Sequence, residues 1–306
     1  MLGECLKWLD PKPGETIVDA TIGYGGHSSA IAQRIGPNGR LIGLDLDSKA
    51  LEHTRRLSSE WPCRVDLMHE GFDRLEEVLK DLETGPVQGI LADLGVSSPQ
   101  LDQGERGFSF RHPGPLDMRM DPDSAPSAAE WIARASEDEI LRALREFGEE
   151  FRARSVARAI VRERAKSPIE TTEHLAEIVL SCFPDRDRAG RVHPATRTFQ
   201  ALRIVVNREM ERLDGFLASI PGNLALGGRV VILAYHSLED RRVKQAFLSW
   251  TGKNDPVLSR VPIRGTKLGW AELLTPKAVK PSLAETEQNP RARSARLRAV
   301  QRTSPS

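Results

Sequence analysis

The chain has 306 residues, of which 44 are basic and 43 acidic; its formal net charge of +1 gives no strong whole-protein field to select partners. With 39% hydrophobic and 28% charged residues it has the composition of a soluble globular protein of about two domains. No apolar run approaches the ~18 residues of a membrane span, and Met1-Leu2-Gly3-Glu4 does not open a signal peptide, so a cytoplasmic location is expected. Cys5, Cys63 and Cys182 are far apart and form no CxxC pair, which argues against a disulfide framework and a zinc knuckle. No metal site is expected. Arg outnumbers Lys 34 to 10; the planar Arg fork suits phosphate, although GC-rich coding bias gives the same ratio without function.

The first third of the chain repeats at a steady interval. Apolar, β-rich runs begin at Thr16, Arg40, Arg64 and Gln88, spaced 24 residues apart. Helical patterns lie between them: Ile31, Ala32 and Ile35 share one face, and Leu75, Val78, Leu79 and Leu82 another. Strands alternating with helices at this spacing predict βαβ units and a parallel sheet.

The repeat then stops. The next strand pattern, Arg229–Leu233, follows a gap of 136 residues, 93 to 228. Ser127-x-x-Glu130 and Ser136-x-x-Glu139 read as capping boxes that open helices. Residues 151–166 read as a basic helix, 172–182 as another, and 196–217 as one long helix leading back to the sheet. Ser237-Leu238-Glu239-Asp240 opens a helix through Phe247. Residues 251–290 carry no clear pattern, and 293–301 read as a closing strand. The expected organisation is 1–104 and 196–306 as two parts of one α/β domain, with 105–195 as an inserted helical domain.

Thr21-Ile22-Gly23-Tyr24-Gly25-Gly26-His27 follows the first strand and opens a helix. Glycines there let a ligand approach the backbone, and the helix N-terminus points its N–H groups at it. Asp45 ends the second strand, 22 residues after Gly23, where a carboxylate can hold ribose hydroxyls. Together these features predict an adenosine-containing cofactor and leave its identity open, since Gly23-x-Gly25-x-x-Ser28 also approaches a nicotinamide fingerprint. Asp19, at the end of the first strand, favours S-adenosylmethionine, because an acid there is usual in class I enzymes that use it. After the fourth strand comes Asp93-Leu94-Gly95-Val96-Ser97-Ser98-Pro99-Gln100, at the position that faces the switch crevice of a doubly wound sheet.

These blocks, together with Glu105-Arg106-Gly107-Phe108-Ser109-Phe110, Leu116-Asp117-Met118-Arg119-Met120, His193-Pro194-Ala195-Thr196-Arg197-Thr198-Phe199-Gln200, His236-Ser237-Leu238-Glu239-Asp240-Arg241 and Asn289-Pro290-Arg291-Ala292-Arg293-Ser294, closely resemble the bacterial 16S rRNA (cytosine-N4-)-methyltransferase family, the type H enzymes. The blocks run from residue 17 to near 300. The resemblance implies a class I S-adenosylmethionine-dependent methyltransferase fold, a Rossmann-like α/β architecture with a mostly parallel sheet and a helical insert that recognises rRNA. It implies S-adenosylmethionine as methyl donor, and as acceptor the N4 of a cytidine in the decoding region (P-site) of 16S rRNA within the small ribosomal subunit. The family's cofactor positions fall on Gly25, Gly26, His27, Asp45, Phe72, Asp93 and Gln100. Family members usually carry a short extended His-x-Pro-Val segment ahead of the position of Met1, so a shortened N-terminus is expected.

An exocyclic amine needs no covalent nucleophile, only alignment with the methyl, acceptors for its N–H bonds and a route for the proton. Pro62-Cys63 resembles the Pro-Cys pair of carbon-5 enzymes but precedes the third strand, so it reads as packing. The candidates for amine contact are Asp93, Ser97 and Ser98, with His236 as proton acceptor or phosphate contact; the catalytic group itself is not identified. Residues 151–170, with six basic and two acidic residues, and 289–306, with five arginines and no acid, are candidate phosphate contacts. A methyltransferase acting on DNA or a small amine and a non-catalytic rRNA-binding assembly factor are the alternative readings. The oligomeric state is not set by the sequence.

Overall fold

The computed structural model describes residues 1–123, 126–184, 193–253 and 269–305. They form two compact units: Met1–Gly95 together with Met210–Ser306, and Val96–Glu209. The first is an α/β unit, the second helical.

The α/β unit is built on β1 (Thr16–Asp19), β2 (Arg40–Leu44), β3 (Arg64–Met68), β4 (Val87–Asp93), β5 (Leu224–Ala234), β6 (Ala271–Leu273) and β7 (Arg296–Arg302). Their order in the sheet is β3-β2-β1-β4-β5-β7-β6. The first five strands are parallel, whereas β7 runs antiparallel to both β5 and β6. This is the expected mostly parallel, class I sheet. Its strands read as continuous apolar runs because both faces are covered. Ile17, Leu41, Leu91, Val231 and Leu297 enter one core, with helices α1 (Leu2–Leu9) and α2 (Gly26–Ile35) supplying Leu6, Leu9, Ile31 and Ile35. Val18, Ile42, Ile90, Ile232 and Val300 enter the other, beneath α4 (Leu75–Asp81), α11 (Glu209–Asn223) and α12 (Ser237–Trp250). Helix α3 (Ser48–Ser58) links β2 and β3. Each fully buried Ile or Leu contributes about 1.5–3 kcal/mol, so the two-sided core fixes strand register before any ligand binds. The sheet's order reverses between β1 and β4, and the carboxyl ends of these strands carry Asp19 and Asp93.

The helical unit contains α5 (Ser98–Asp102), α6 (Ala128–Arg134), α7 (Glu137–Glu146), α8 (Ala153–Arg164), α9 (Thr172–Ser181) and α10 (Ala195–Val206) around its own core of Ile132, Ile140, Leu144, Val156, Ile160 and Leu202. Both expected capping boxes are present, Ser127 with Glu130 and Ser136 with Glu139. Its boundaries, Val96 and Glu209, lie outside the 105–195 read from the sequence.

The long helix expected over 196–217 is two helices. Arg208 adopts a left-handed φ of 51°, which closes α10, and the Asn207 side chain is diverted to the segment Met118–Met120. It donates to the Met118 carbonyl (2.8 Å) and accepts from the Met120 N–H (2.7 Å). Two further elements carried no readable signal: α1, and β6 within the unpatterned 251–290 stretch. The N-cap of α12 is His236, not Ser237, so the helix starts at Ser237, one residue earlier than a Ser237 cap implies.

Candidate active site

The α/β unit gathers three acidic groups, Asp19, Asp45 and Asp93, at the carboxyl ends of β1, β2 and β4. Between β1 and α2 the chain turns through Gly23 (φ 51°) and Gly25 (φ 81°), both left-handed and therefore suited to glycine. A Cβ on Gly25 would lie 3.3 Å from the Trp61 ring, whereas one on Gly26 would meet nothing within 4 Å. The first turn of α2 thus opens onto free space, with the helix N-terminus behind it.

Asp45 locks this turn. One carboxylate oxygen accepts the Gly23 N–H at 2.8 Å and the other the Asp47 N–H at 2.8 Å. Thr54 closes the same loop through a 2.7 Å hydrogen bond from its hydroxyl to the Gly23 carbonyl. Burial pushes the Asp45 carboxyl up to about 6, against the opposing pull of its two backbone donors. Each oxygen retains acceptor capacity for a ribose hydroxyl.

Asp19 is buried and accepts from the Ser28 hydroxyl at 2.7 Å and the Thr21 N–H at 3.3 Å. It therefore ties the first strand to α2. Burial raises its carboxyl above the ordinary range, opposed by Ser28 and His27. Asp93 is half-buried at the end of β4. Its N–H donates to the Thr21 hydroxyl at 2.6 Å, its Oδ1 accepts from the Tyr235 hydroxyl at 2.7 Å, and its Oδ2 lies 3.6 Å from His27 Nδ1. Burial also raises Asp93, with His27 and Tyr235 pulling the other way. The Tyr235 phenol is pushed far up by burial and by the Asp93 charge, so it stays a hydrogen-bond donor at every working pH.

Gly25, Gly26, His27, Asp45 and Asp93 are thus brought into one connected loop system. Phe72 opens the 3-10 turn Phe72–Arg74 and meets Phe216 edge-on at 5.4 Å, half-buried against the core. Gln100 belongs to the helical unit, where it completes a capping box: Ser97 N–H donates to its Oε1 at 2.9 Å, and its own N–H donates to the Ser97 hydroxyl at 3.4 Å. Ser98 is the exposed first residue of α5. His236 is largely buried; its Nε2 lies 3.1 Å from Glu239 Oε1 without hydrogen-bond geometry. Glu239 spends its other oxygen on the Tyr235 and His236 N–H groups, at 2.8 and 3.2 Å. Cys63 packs at the edge of a core, as read.

Sequence reasoning missed Tyr235. Its place at the end of a strand beside a crevice was legible, but the partner 142 residues away was not. The C-terminal arginines are also partly diverted. Arg298 forms a paired hydrogen bond with Asp240 at 2.7 and 3.1 Å, and Arg302 donates to the Pro221 carbonyl at 3.1 Å. In the 151–170 stretch Arg164 bonds the Ala135 carbonyl at 2.6 Å and Lys166 pairs with Glu163 at 3.0 Å.

No helix among the described residues is long and apolar enough to cross a membrane. A family model described as the MraW methylase family matches residues 1–303. The chain is 46% identical over 306 residues to the ribosomal RNA small subunit methyltransferase H of Nitrosospira multiformis, covering 99% of this chain and 96% of that protein. To the protein of the same name from Thioalkalivibrio sulfidiphilus it is 47% identical over 305 residues, covering 99% and 96%. To that from Coxiella burnetii it is 42% identical over 305 residues, covering 99% and 98%.

Proposed function

Because the chain belongs to the MraW methylase family, with S-adenosylmethionine as its methyl donor, we propose that it methylates the exocyclic N4 of a cytidine in the decoding region of 16S rRNA in the small ribosomal subunit. The coarser reading, an S-adenosylmethionine-dependent rRNA methyltransferase, follows from near-full-length relatives named as rRNA small subunit methyltransferases. The observation that carries the finer reading is the Asp93 carboxylate at the end of β4, held by Tyr235 and His27 with no nucleophilic thiol beside it in the loop that follows.

The loop fits the donor. The open first turn of α2 offers backbone N–H groups, and the Asp45 carboxylate, which accepts from the Gly23 and Asp47 N–H groups, keeps further lone pairs for a ribose hydroxyl. Gly25, Gly26, His27, Asp45 and Asp93 would hold the bound molecule, with Phe72 against the adenine; the resemblance adds Gln100 to the family's cofactor positions. The bound donor supplies an electrophilic methyl group on a sulfonium.

The remaining work falls to the chain. An amine at N4 carries two N–H bonds and a lone pair delocalised into the ring, so it must be fixed with its lone pair toward the methyl. A carboxylate accepting one N–H aligns it and offsets the positive charge that develops on nitrogen. Asp93 has an oxygen for that role, because Tyr235 occupies only Oδ1. Ser97 and Ser98, or the carbonyls of that segment, serve the second N–H. His236, with no hydrogen bond on either ring nitrogen, is the candidate to receive the proton or contact a phosphate. The inserted helical domain is assigned to rRNA recognition, and a target base within folded rRNA is splayed out to be reached.

Nucleoside mass spectrometry tests this reading. Small subunits lacking the modification are incubated with the protein and S-adenosylmethionine and then digested. New N4-methylcytidine from 16S rRNA is the expected product; methylation of another atom, or none despite cofactor binding, overturns the proposal.

A further inference from the structure

In the turn between α7 and α8 two neighbouring side chains sit the wrong way round for solvation. Glu150 is 3% exposed, and its Oε2 is buried with no hydrogen-bond partner; the other oxygen accepts the Arg152 N–H at 2.9 Å. Phe151, next along the chain, is 72% exposed. Burying a carboxylate oxygen without a donor and leaving a phenyl ring in water each cost stability. The backbone is bent to do it, since Glu149 takes a left-handed φ of 47°. A turn selected for stability alone would place these two side chains in the reverse order.

The exposed ring has organised surroundings. The Arg197 guanidinium lies over it, 5.4 Å from the centroid, and is fixed there by a 2.8 Å hydrogen bond to the Glu149 carbonyl. Phe183 supports it edge-on at 5.7 Å with the rings at 83°. Arg152 in turn lies over Phe183 at 5.3 Å, and Arg154 is exposed two residues further on. A rigid aromatic face backed by one fixed guanidinium suits a flat π-system that carries negative charge beside it.

We infer that Phe151, backed by Arg197, is a stacking platform for an unpaired nucleobase of RNA, with Arg197 and Arg154 taking the adjoining phosphates. Stacking on an aromatic side chain is sequence-tolerant, and a guanidinium behind the ring adds a cation–π contact while basic groups nearby take phosphates. A duplex keeps its bases stacked on one another and offers no face to the ring, so the platform selects single-stranded segments. The inference rests on the rRNA reading above and deepens it by naming residues of the helical unit that meet the nucleic acid; Arg197 lies in the His193–Gln200 block to which the methyl-donor loop assigns no role.

The test is fluorescence anisotropy with the full chain, a short mixed-sequence single-stranded RNA, and the same RNA annealed to its complement. Phe151→Ala should weaken single-strand binding about ten-fold or more. Phe151→Trp should match or exceed the parent, and duplex affinity should stay within about two-fold for all three. Calorimetric binding of S-adenosylhomocysteine, unchanged in both variants, shows that the fold is intact. Equal single-strand affinity of Phe151→Ala and the parent overturns the platform, as does an equal loss on single strand and duplex. A loss seen only with assembled subunits, and not with protein-free 16S rRNA, assigns the ring to a ribosomal protein and also overturns it. Phe151-dependent RNA binding without any N4-methylcytidine on subunits overturns the reaction reading and leaves the platform standing.

Discussion

Tyr235, at the end of β5, donates a 2.7 Å hydrogen bond to Asp93, at the end of the neighbouring β4. The phenol fixes one carboxylate oxygen and leaves the other directed by His27. The Asp93 carboxylate is thereby held from two sides at the carboxyl end of β4.

Removing that donor gives the first prediction. Tyr235→Phe keeps the ring and loses a hydrogen bond to a charged group, worth about 1.5–3 kcal/mol, so kcat should fall about ten-fold or more. The ionised Asp93 loses a stabilising partner, and its carboxyl rises further above the ordinary range. The acid limb of the pH–rate profile should therefore move to higher pH, which a purely structural loss would not do. Asp93→Ala should abolish transfer; near-parental turnover would remove Asp93 from the mechanism.

Asp45 predicts a pH dependence with two opposite signs. Its carboxyl stands at about 6 in the folded chain, above the 3.8 of an unperturbed aspartate. The folded state thus holds the proton more tightly than the unfolded state. This contribution to stability is full below about pH 4 and is lost as pH rises through about 6. On the proposed reading the ionised form accepts from the donor's ribose, so affinity should rise over the same window. Calorimetric titration with S-adenosylhomocysteine should show a fall of up to about ten-fold per pH unit below 6, with a plateau above it. A flat profile would mean that Asp45 does not meet the ribose.

Gly25→Ala places a Cβ on a residue at φ 81° and 3.3 Å from Trp61. The left-handed conformation alone costs roughly 1–2 kcal/mol for alanine, and the loop must shift away from Trp61. S-adenosylhomocysteine affinity should drop about ten-fold, whereas Gly26→Ala, with nothing within 4 Å of the added carbon, should retain the fold and lose affinity only through occupation of the ligand's space.

Asn207→Ala removes the side chain that ties the end of α10 to the segment Met118–Met120 and leaves the Met120 N–H without its acceptor. An orphaned donor that is only partly buried costs up to about 1–3 kcal/mol. Thermal unfolding should detect the loss directly, and Asn207→Asp, which keeps the acceptor but not the donor to Met118, should fall between the two.

The sheet was legible because β1 to β4 each combine an apolar run with a fixed 24-residue spacing, and two-sided burial leaves few other arrangements. The loop around Gly23 and Gly25 was legible because left-handed backbone restricts residue choice. The break at Asn207 was not, since an Asn at that position continues a helix as readily as it ends one; its partners lie 87 and 89 residues away. Arg298 and Arg302 counted as free basic charge until Asp240 and the Pro221 carbonyl were seen to hold them. Gln100 carried a family role by resemblance, while locally it is half of a capping box.

The insertion of Val96–Glu209 between β4 and β5 sets the order in which the chain can assemble. Ala92 pairs with Ile232, so this central contact closes a loop of well over a hundred residues, and closure entropy grows with the logarithm of that length. Helices α6 to α10 make their contacts locally and can form first, after which the β4 and β5 ends have less free chain between them. We expect the insert to fold ahead of the sheet that it interrupts. Pulse-labelling hydrogen exchange should find amides of α7 and α8 protected before those of Val230–Leu233, and simultaneous protection would show that the sheet closes without that help.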